Sequence, residues 1–259
     1  MAETPTERRA ERRAERRAET MEPRRRDPHA HHRLRILVRT VVAVALAVGV
    51  MVGGPWLYAR FVAAEPRDEL SLSSPSPEAA PQVPTGPLDI DGTWLVQPGS
   101  EAGYRLREVL SGEEVVVVGR TESVTGEVEV EADRLTSARV VVDAGSISTD
   151  ESARDAFFRR ALDTTSFPEA TFELTEPVDV STLAAGDEPL TTTVSGQLTL
   201  HGVTSPVAVE LEAQRTATGV EVVGQVPVTL ADFGLSAPDL GWVVVDPAGT
   251  VEIRLLLAR

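Results

Sequence analysis

The sequence predicts an all-β domain carried behind one transmembrane helix. Three observations predict it: apolar residues alternate with polar ones over many short segments, turn residues separate those segments, and a single uncharged run lies near the N-terminus. Charge divides the chain at the same place. Residues 1–39 hold twelve Arg against seven Asp or Glu, a balance of +5, whereas residues 40–259 hold thirteen Arg against thirty-three acids, a balance of −20.

The first segment, 1–39, contains "ERRAERRAERRAE", a four-residue repeat that would stack Glu on Glu and Arg on Arg if helical. It reads as an orientation signal that also meets anionic lipid heads, and no nucleic-acid role is assigned to it. Residues 40–60 follow, with "TVVAVALAVGVMVGGPWLYA" free of charge from Thr40 to Ala59. About twenty residues at ~1.5 Å each span a bilayer core of ~30 Å. The rival reading is a cleaved signal peptide, with Val62-Ala63-Ala64 as its processing site, but the long basic region and long apolar run favour a retained helix. The arginine excess before the span places the N-terminus in the cytoplasm and the acidic remainder outside a bacterial cell membrane. The chain has no Cys, which excludes a disulfide framework and a lipid-modified N-terminal cysteine. Residues 61–87 are rich in Pro, Ser and Glu and lack hydrophobic periodicity, so they read as a solvated spacer.

Residues 88–259 make the folded domain. In "VTGEVEVEAD" Val128 and Val130 alternate with Glu127, Glu129 and Glu131, giving one apolar and one charged face. The pattern recurs at Val140 and Val142, at Leu198 and Leu200, at Val207, Val209 and Leu211, at Val222, Val226 and Val228, and at Val251, Ile253 and Leu255. With segments near Trp94 and Tyr104, eight or nine strands are expected, which means a sandwich or a barrel. "LTLHGVTSPVAVELE" predicts a hairpin whose connection is His201 to Pro206. One stretch breaks the rhythm. "RDAFFRRALDTTSFPEATFE" holds four of the six phenylalanines and predicts a short inserted helix, capped by Asp150 or Ser152, with an exit loop leading to Pro168. Its aromatic cluster should face the sheet.

Catalytic options are narrow. His29, His31 and His32 precede the span, leaving His201 as the one imidazole beyond it, and neither Cys nor Lys exists to act as a nucleophile. No G-x-S-x-G elbow is present and no multi-His or Cys zinc site can be assembled. Asp89 and Asp91 read as turn chemistry. A two-carboxylate glycosidase is the remaining enzymatic reading, although most of the acids alternate with Val on strand faces.

Four stretches occur together and in order: "VVGRTESVTGEVEVE", "SISTDESARDAFFRRALDTTSFPEATFEL", "VSGQLTLHGVTSPVAVELE" and "VTLADFGLSAP". They resemble the YceI-like family of bacterial polyisoprenoid-binding proteins over roughly Thr93 to Leu257. The most specific pieces are Ser148-Thr149 followed by Arg154-Asp155, the run from Phe167-Pro168 to Thr171-Phe172, and Gly196-x-Leu198-Thr199-x-x-Gly202. The resemblance implies an extended, antiparallel, eight-stranded lipocalin-like barrel that encloses an isoprenoid tail and has no enzymatic activity. It departs from the family's Asp-x-x-His-Ser pattern, for "QPGSEAGY" keeps Ser100 without the His.

The candidate lipid pocket is Phe157, Phe158, Leu162, Phe167, Phe172, Val128, Val130, Val142, Leu198, Leu200, Val209 and Val226, with Ser148 and Arg154 at the mouth. No metal and no catalytic residue is expected, and no cofactor beyond a bound isoprenoid quinone or polyprenyl lipid. The alternative is a stress or interaction module whose barrel is filled by its own side chains and whose acidic surface meets a protein partner.

Overall fold

The alternating segments become strands because each gains one apolar face that only a second sheet face can cover. The computed structural model describes Arg39, residues 66–74 and residues 86–259 other than Ser111, Asp187, Leu240 and Trp242. The expected arginine-rich segment and the span at 40–60 lie, apart from Arg39, outside the described residues. Among the described residues no helix is long and apolar enough to cross a membrane.

Eleven strands form one antiparallel sheet: β1 (Gly92–Val96), β2 (Glu101–Leu110), β3 (Glu113–Thr121), β4 (Val124–Glu131), β5 (Arg134–Asp143), β6 (Glu169–Leu174), β7 (Val178–Asp179), β8 (Leu190–Leu200), β9 (Val203–Arg215), β10 (Val220–Thr229) and β11 (Val243–Ala258). Among the described residues 86–259 two α-helices interrupt them, α1 (Ser152–Ala161) and α2 (Ser181–Ala185). β1 and β2 are two halves of one bent line, and so are β3 and β4, because Gly92 pairs with Val130 and Leu110 with Glu113. β11 then pairs with β10 along one edge and with both β2 and β1 along the other. The sheet closes into eight staves, each beside its neighbour in sequence, with the short β7 added beside β5. Closure removes the exposed edges that an open sheet would leave.

The bend between β1 and β2 explains Ser100. Its buried hydroxyl donates to the Gln97 carbonyl at 2.7 Å and accepts the Leu256 N–H at 2.9 Å, pinning the corner to β11. The expected hairpin connection is shorter than the sequence suggested. Only His201 and Gly202 form it, both with positive φ (53° and 71°), the two-residue turn that matches strand twist. Pro206 is inside β9, opposite Gln197, at a non-hydrogen-bonded pair whose missing N–H faces the edge beyond the paired part of β10.

α1 is capped by Glu151, whose side chain accepts the Ala153 N–H, and not by Asp150 or Ser152. Asp150 instead pairs with Arg154 one turn on, at 2.7 Å. Asp155 accepts both the N–H and the hydroxyl of Thr149.

Residues 66–74 differ from the solvated spacer expected for 61–87. They lie against the outside of the barrel, over two glutamates that alternation places outward, Glu221 on β10 and Glu252 on β11. Each is only 1% exposed. Glu221 accepts from Arg254 Nε at 2.6 Å, Gln214 Nε2 at 2.8 Å, and Ser73 N and Oγ at 3.0 and 2.9 Å. Glu252 accepts from Arg105 Nε at 2.7 Å and from Arg120. Charges taken out of water require this degree of pairing.

Burial pushes the Glu221 carboxyl up, but the hydrogen bonds from Gln214, Arg254 and Ser73 outweigh it and hold the group below its ordinary value. A carboxyl depressed in the folded state contributes stability above its unfolded pKa, and that contribution is lost as pH falls through the folded value. The melting difference between wild type and Glu221→Gln should therefore be constant through neutral pH and close only below the ordinary carboxylate range. Thermal melts across pH check this.

Candidate functional site

Inward positions of the staves meet around a cavity of about 230 Å³. That is equivalent to on the order of fifteen water positions. The wall runs from Ile90, Trp94 and Leu183 at one end to Phe158, Leu162 and Leu230 at the other, so the cavity follows the barrel axis. No charged residue lines it, and its polar side chains are Tyr104, Thr171, Thr192 and Thr250. Such a wall accepts an apolar, elongated body and penalises a charged one.

The two ends differ. At one, α2 contributes Leu183, which packs with Val180, Ile90 and Trp94; all four are buried, and the Trp94 indole N–H donates to the Ile90 carbonyl at 2.8 Å. Arg259 lies over the Trp94 ring at 4.8 Å. The other end gathers the β2–β3, β8–β9 and β10–β11 connections and α1. β5 ends at Asp143, level with Ser123, so β3 runs on with a single bridge, Arg120 to Ser148, on that edge. α1 stands over the cavity at that same end. No residue of α1 is buried, and it reaches the cavity through Phe158 and through Leu162 just after it. That end is covered by a helix none of whose residues is buried.

Phe158 stacks on Tyr104, with centroids 4.5 Å apart and planes 15° from parallel. Burial pushes the Tyr104 hydroxyl well above its usual range. Arg154 opposes that shift, and Asp155, Glu108 and Asp150 add to it, so the group is a neutral donor at physiological pH.

Most of the expected pocket residues lie on this wall: Phe158, Leu162, Phe172, Val128, Val130, Val142, Leu198, Leu200, Val209 and Val226. Phe157 and Phe167 do not. Phe157 faces solvent on a different side of α1 from Phe158, 43% exposed, because adjacent helix residues point about 100° apart. Phe167 packs its ring edge-on against His201, 5.3 Å between centroids, outside the barrel. The expected mouth residues, Ser148 and Arg154, lie at the α1 end but not on the cavity wall. Ser148 is exposed and holds Arg120 by backbone bonds, and Arg154 is turned to Glu108 and Asp150.

Four wall features had no place among the sequence-level candidates, and all are glycines at inward positions. A Cβ on Gly196 would stand 2.2 Å from the Phe172 ring, on Gly119 2.5 Å from Tyr104, on Gly249 2.3 Å from Leu106 and on Gly224 2.6 Å from Leu211. Each large side chain occupies the space its cross-strand neighbour leaves. The rings thereby lie along the wall instead of across the bore, which keeps the centre open. Gly196 and Gly119 lie within stretches quoted for the family resemblance, and in the strands those stretches form an isolated glycine signals close approach.

Among the described residues no group of three or more His, Cys, Asp or Glu could hold a metal ion. The sequence model of the YceI-like domain matches residues 95–257. A UPF0312 protein of Vibrio campbellii is 32% identical over 127 residues, which cover 45% of this chain and 64% of that protein. The match thus spans just under two thirds of that relative. A UPF0312 protein of Shewanella baltica is 33% identical over 152 residues, 54% of this chain and 73% of its own. Among solved structures, a polyisoprenoid binding domain from Saccharophagus degradans, described as implicated in plant cell wall breakdown, shares the fold. Its TM-score is 0.51 and its identity 24%, over 64% of this chain and 97% of that one. BcnA of Burkholderia cenocepacia aligns with a TM-score of 0.49 and 18% identity, over 63% of this chain and 99% of its own.

Proposed function

This chain belongs to the YceI-like domain family, and from that premise we propose that it is a membrane-tethered, extracytoplasmic binding protein that encloses the tail of an isoprenoid lipid or quinone. The observation that carries the reading is the uncharged axial cavity. A barrel filled by its own side chains would leave no such space, so the cavity favours cargo over a purely interactive role. The wall offers no carboxylate, imidazole or amine, which supports holding over converting. A fold shared with a polyisoprenoid binding domain is consistent with the same cargo class.

Energetics set what the cavity must do. A tail leaving a bilayer gains little by entering another apolar space, yet each five-carbon unit left in water costs about 4 kcal/mol, at ~0.8 kcal/mol per carbon. The barrel works by enclosing the tail almost completely. Selectivity then falls to tube length and to the mouth, where the Tyr104 hydroxyl, held protonated by burial, can donate to a carbonyl or hydroxyl of the head group. Entry is under α1, which has few apolar anchors. The charge-free run at 40–60 and the arginine excess before it support the tether and the outward placement.

Mass spectrometry of an organic extract of the purified protein tests the cargo. About one isoprenoid lipid per chain is expected. Protein free of lipid, whose melt is also unmoved by added quinone or polyprenyl lipid, would remove the reading.

A further inference from the structure

The barrel's outer wall holds a second site, unrelated to the cavity. Glu221 and Glu252 occupy outward positions on adjacent strands, where alternation calls for solvated carboxylates, yet both are sealed. Residues 66–74 provide part of the seal. On one side the Arg67 carbonyl accepts Arg105 Nη2 at 2.8 Å and the Asp68 carbonyl accepts Arg120 Nη2 at 3.4 Å. On the other, Ser73 closes a ring. Its N–H and hydroxyl go to Glu221, its carbonyl accepts Gln214 Nε2 at 3.0 Å, and its Oγ accepts Arg254 Nη2 at 2.8 Å. Apart from the Ser73 hydroxyl these are main-chain groups, so the wall reads an extended backbone with one small polar side chain.

We propose that this wall is a docking site for residues 66–74 of the same chain, and that its occupancy sets the length of the tether on which the barrel hangs. The assignment to the same chain follows from where the segment leaves. Ser73 is held by Gln214 and Gly86 by Arg215, whose Nη1 donates to the Gly86 carbonyl at 2.8 Å, and these are consecutive residues of β9 whose side chains leave opposite faces of the strand. The two described stretches, ending at Ser74 and resuming at Gly86, thus both meet the same part of β9, an interval that a single chain joins at little entropic cost. A free spacer of residues 61–87 could extend to about 95 Å, whereas residues 61–65 alone reach about 17 Å, at ~3.5 Å per residue. Docking thus keeps the barrel close to whatever surface residue 60 meets, and release lets it range. The tether-length half rests on the proposed membrane anchor. The docking half does not.

The chain contains no cysteine, so Ser71→Cys and Thr218→Cys place a pair of spin labels without further changes. One narrow distance distribution is expected. Ser73→Pro, which removes the N–H donated to Glu221 and alters nothing on the barrel, should broaden the distribution and speed trypsin cleavage after Arg67 about tenfold or more, since cutting follows the open population. Ser73→Ala, which removes only the hydroxyl, should fall between. A broad distribution in the unmodified segment, or a narrow one that survives Ser73→Pro, would overturn the proposal. A distribution that changes with protein concentration would give the strap to a second copy and overturn its assignment to the same chain. Lipid content of the same samples is read separately: docking without lipid leaves the strap standing and removes the cargo, and lipid without docking does the reverse.

Discussion

Phe158→Asp and Phe172→Asp are each expected to strip the barrel of its lipid. Both rings line an uncharged wall, Phe158 at the mouth against Tyr104 and Phe172 against Gly196. A carboxylate placed there is desolvated without a partner whenever a tail is present, at a cost of several kcal/mol. Each ~1.4 kcal/mol is a factor of ten in affinity, so retention should fall by a hundredfold or more. Protonation of the new acid would soften the loss at low pH. Phe158→Leu and Phe172→Leu are the fair companions, since they keep an apolar surface and change only the shape of the tube, at a cost of about 1.5 kcal/mol or less. They should melt near wild type while the spectrum of extracted lipids shifts. Phe157→Asp, on the solvent side of α1, should retain wild-type lipid content. Equal loss in Phe157→Asp and Phe158→Asp would mean that α1 had simply come away, and an unchanged lipid content in Phe172→Asp would show that the tail does not lie on this wall.

That contrast marks how far the sequence could be read. Period-two alternation identifies inward residues well, because a strand side chain has only two directions: Val128, Val130, Leu198, Leu200 and Val209 follow directly from it. Adjacent aromatics on a helix have no such rule, and only the packing of Tyr104 against Phe158 decides that Phe158 and not Phe157 turns inward. Phe167 was misplaced for a related reason. Its loop leaves the barrel before β6 begins, and the ring finds His201 on the neighbouring hairpin, a meeting visible only once the hairpin is closed to two residues.

The outer wall reverses the rule that served for the inner one. Alternation places Glu221 and Glu252 outward, and outward normally means solvated. They are buried because a segment with no hydrophobic pattern lies across them, bound through backbone groups that carry no sequence signature. Ser100 is similar: its role is a hydrogen bond to Leu256, more than 150 positions away, which local pattern cannot reach. What escaped reading is thus long-range and polar, or else an absence of side chain, as at the inward glycines.

Those glycines give the last expected result. Gly196→Ala should destabilise the domain and empty it together. The added Cβ would stand 2.2 Å from Phe172 Cε2 and 2.7 Å from the Glu173 carbonyl oxygen, closer than any real contact, so the ring must swing away from the wall. Only the bore is open to receive it. Overpacking of this kind costs about 1–3 kcal/mol, which for a domain of this size lowers the melting temperature by roughly 2–12 °C, and a ring across the bore displaces the tail it would otherwise flank. The double variant Gly196→Ala with Phe172→Leu separates the causes, because the two sites touch and should not be additive. Leucine removes the ring that collides but not the Glu173 carbonyl, so the melt should recover part of the way toward that of Phe172→Leu alone, with lipid returning in parallel. Recovery of the melt without lipid would place the ring itself in the binding surface. A single Gly196→Ala variant that melts and loads like wild type would show that the open bore does not depend on the space this glycine leaves.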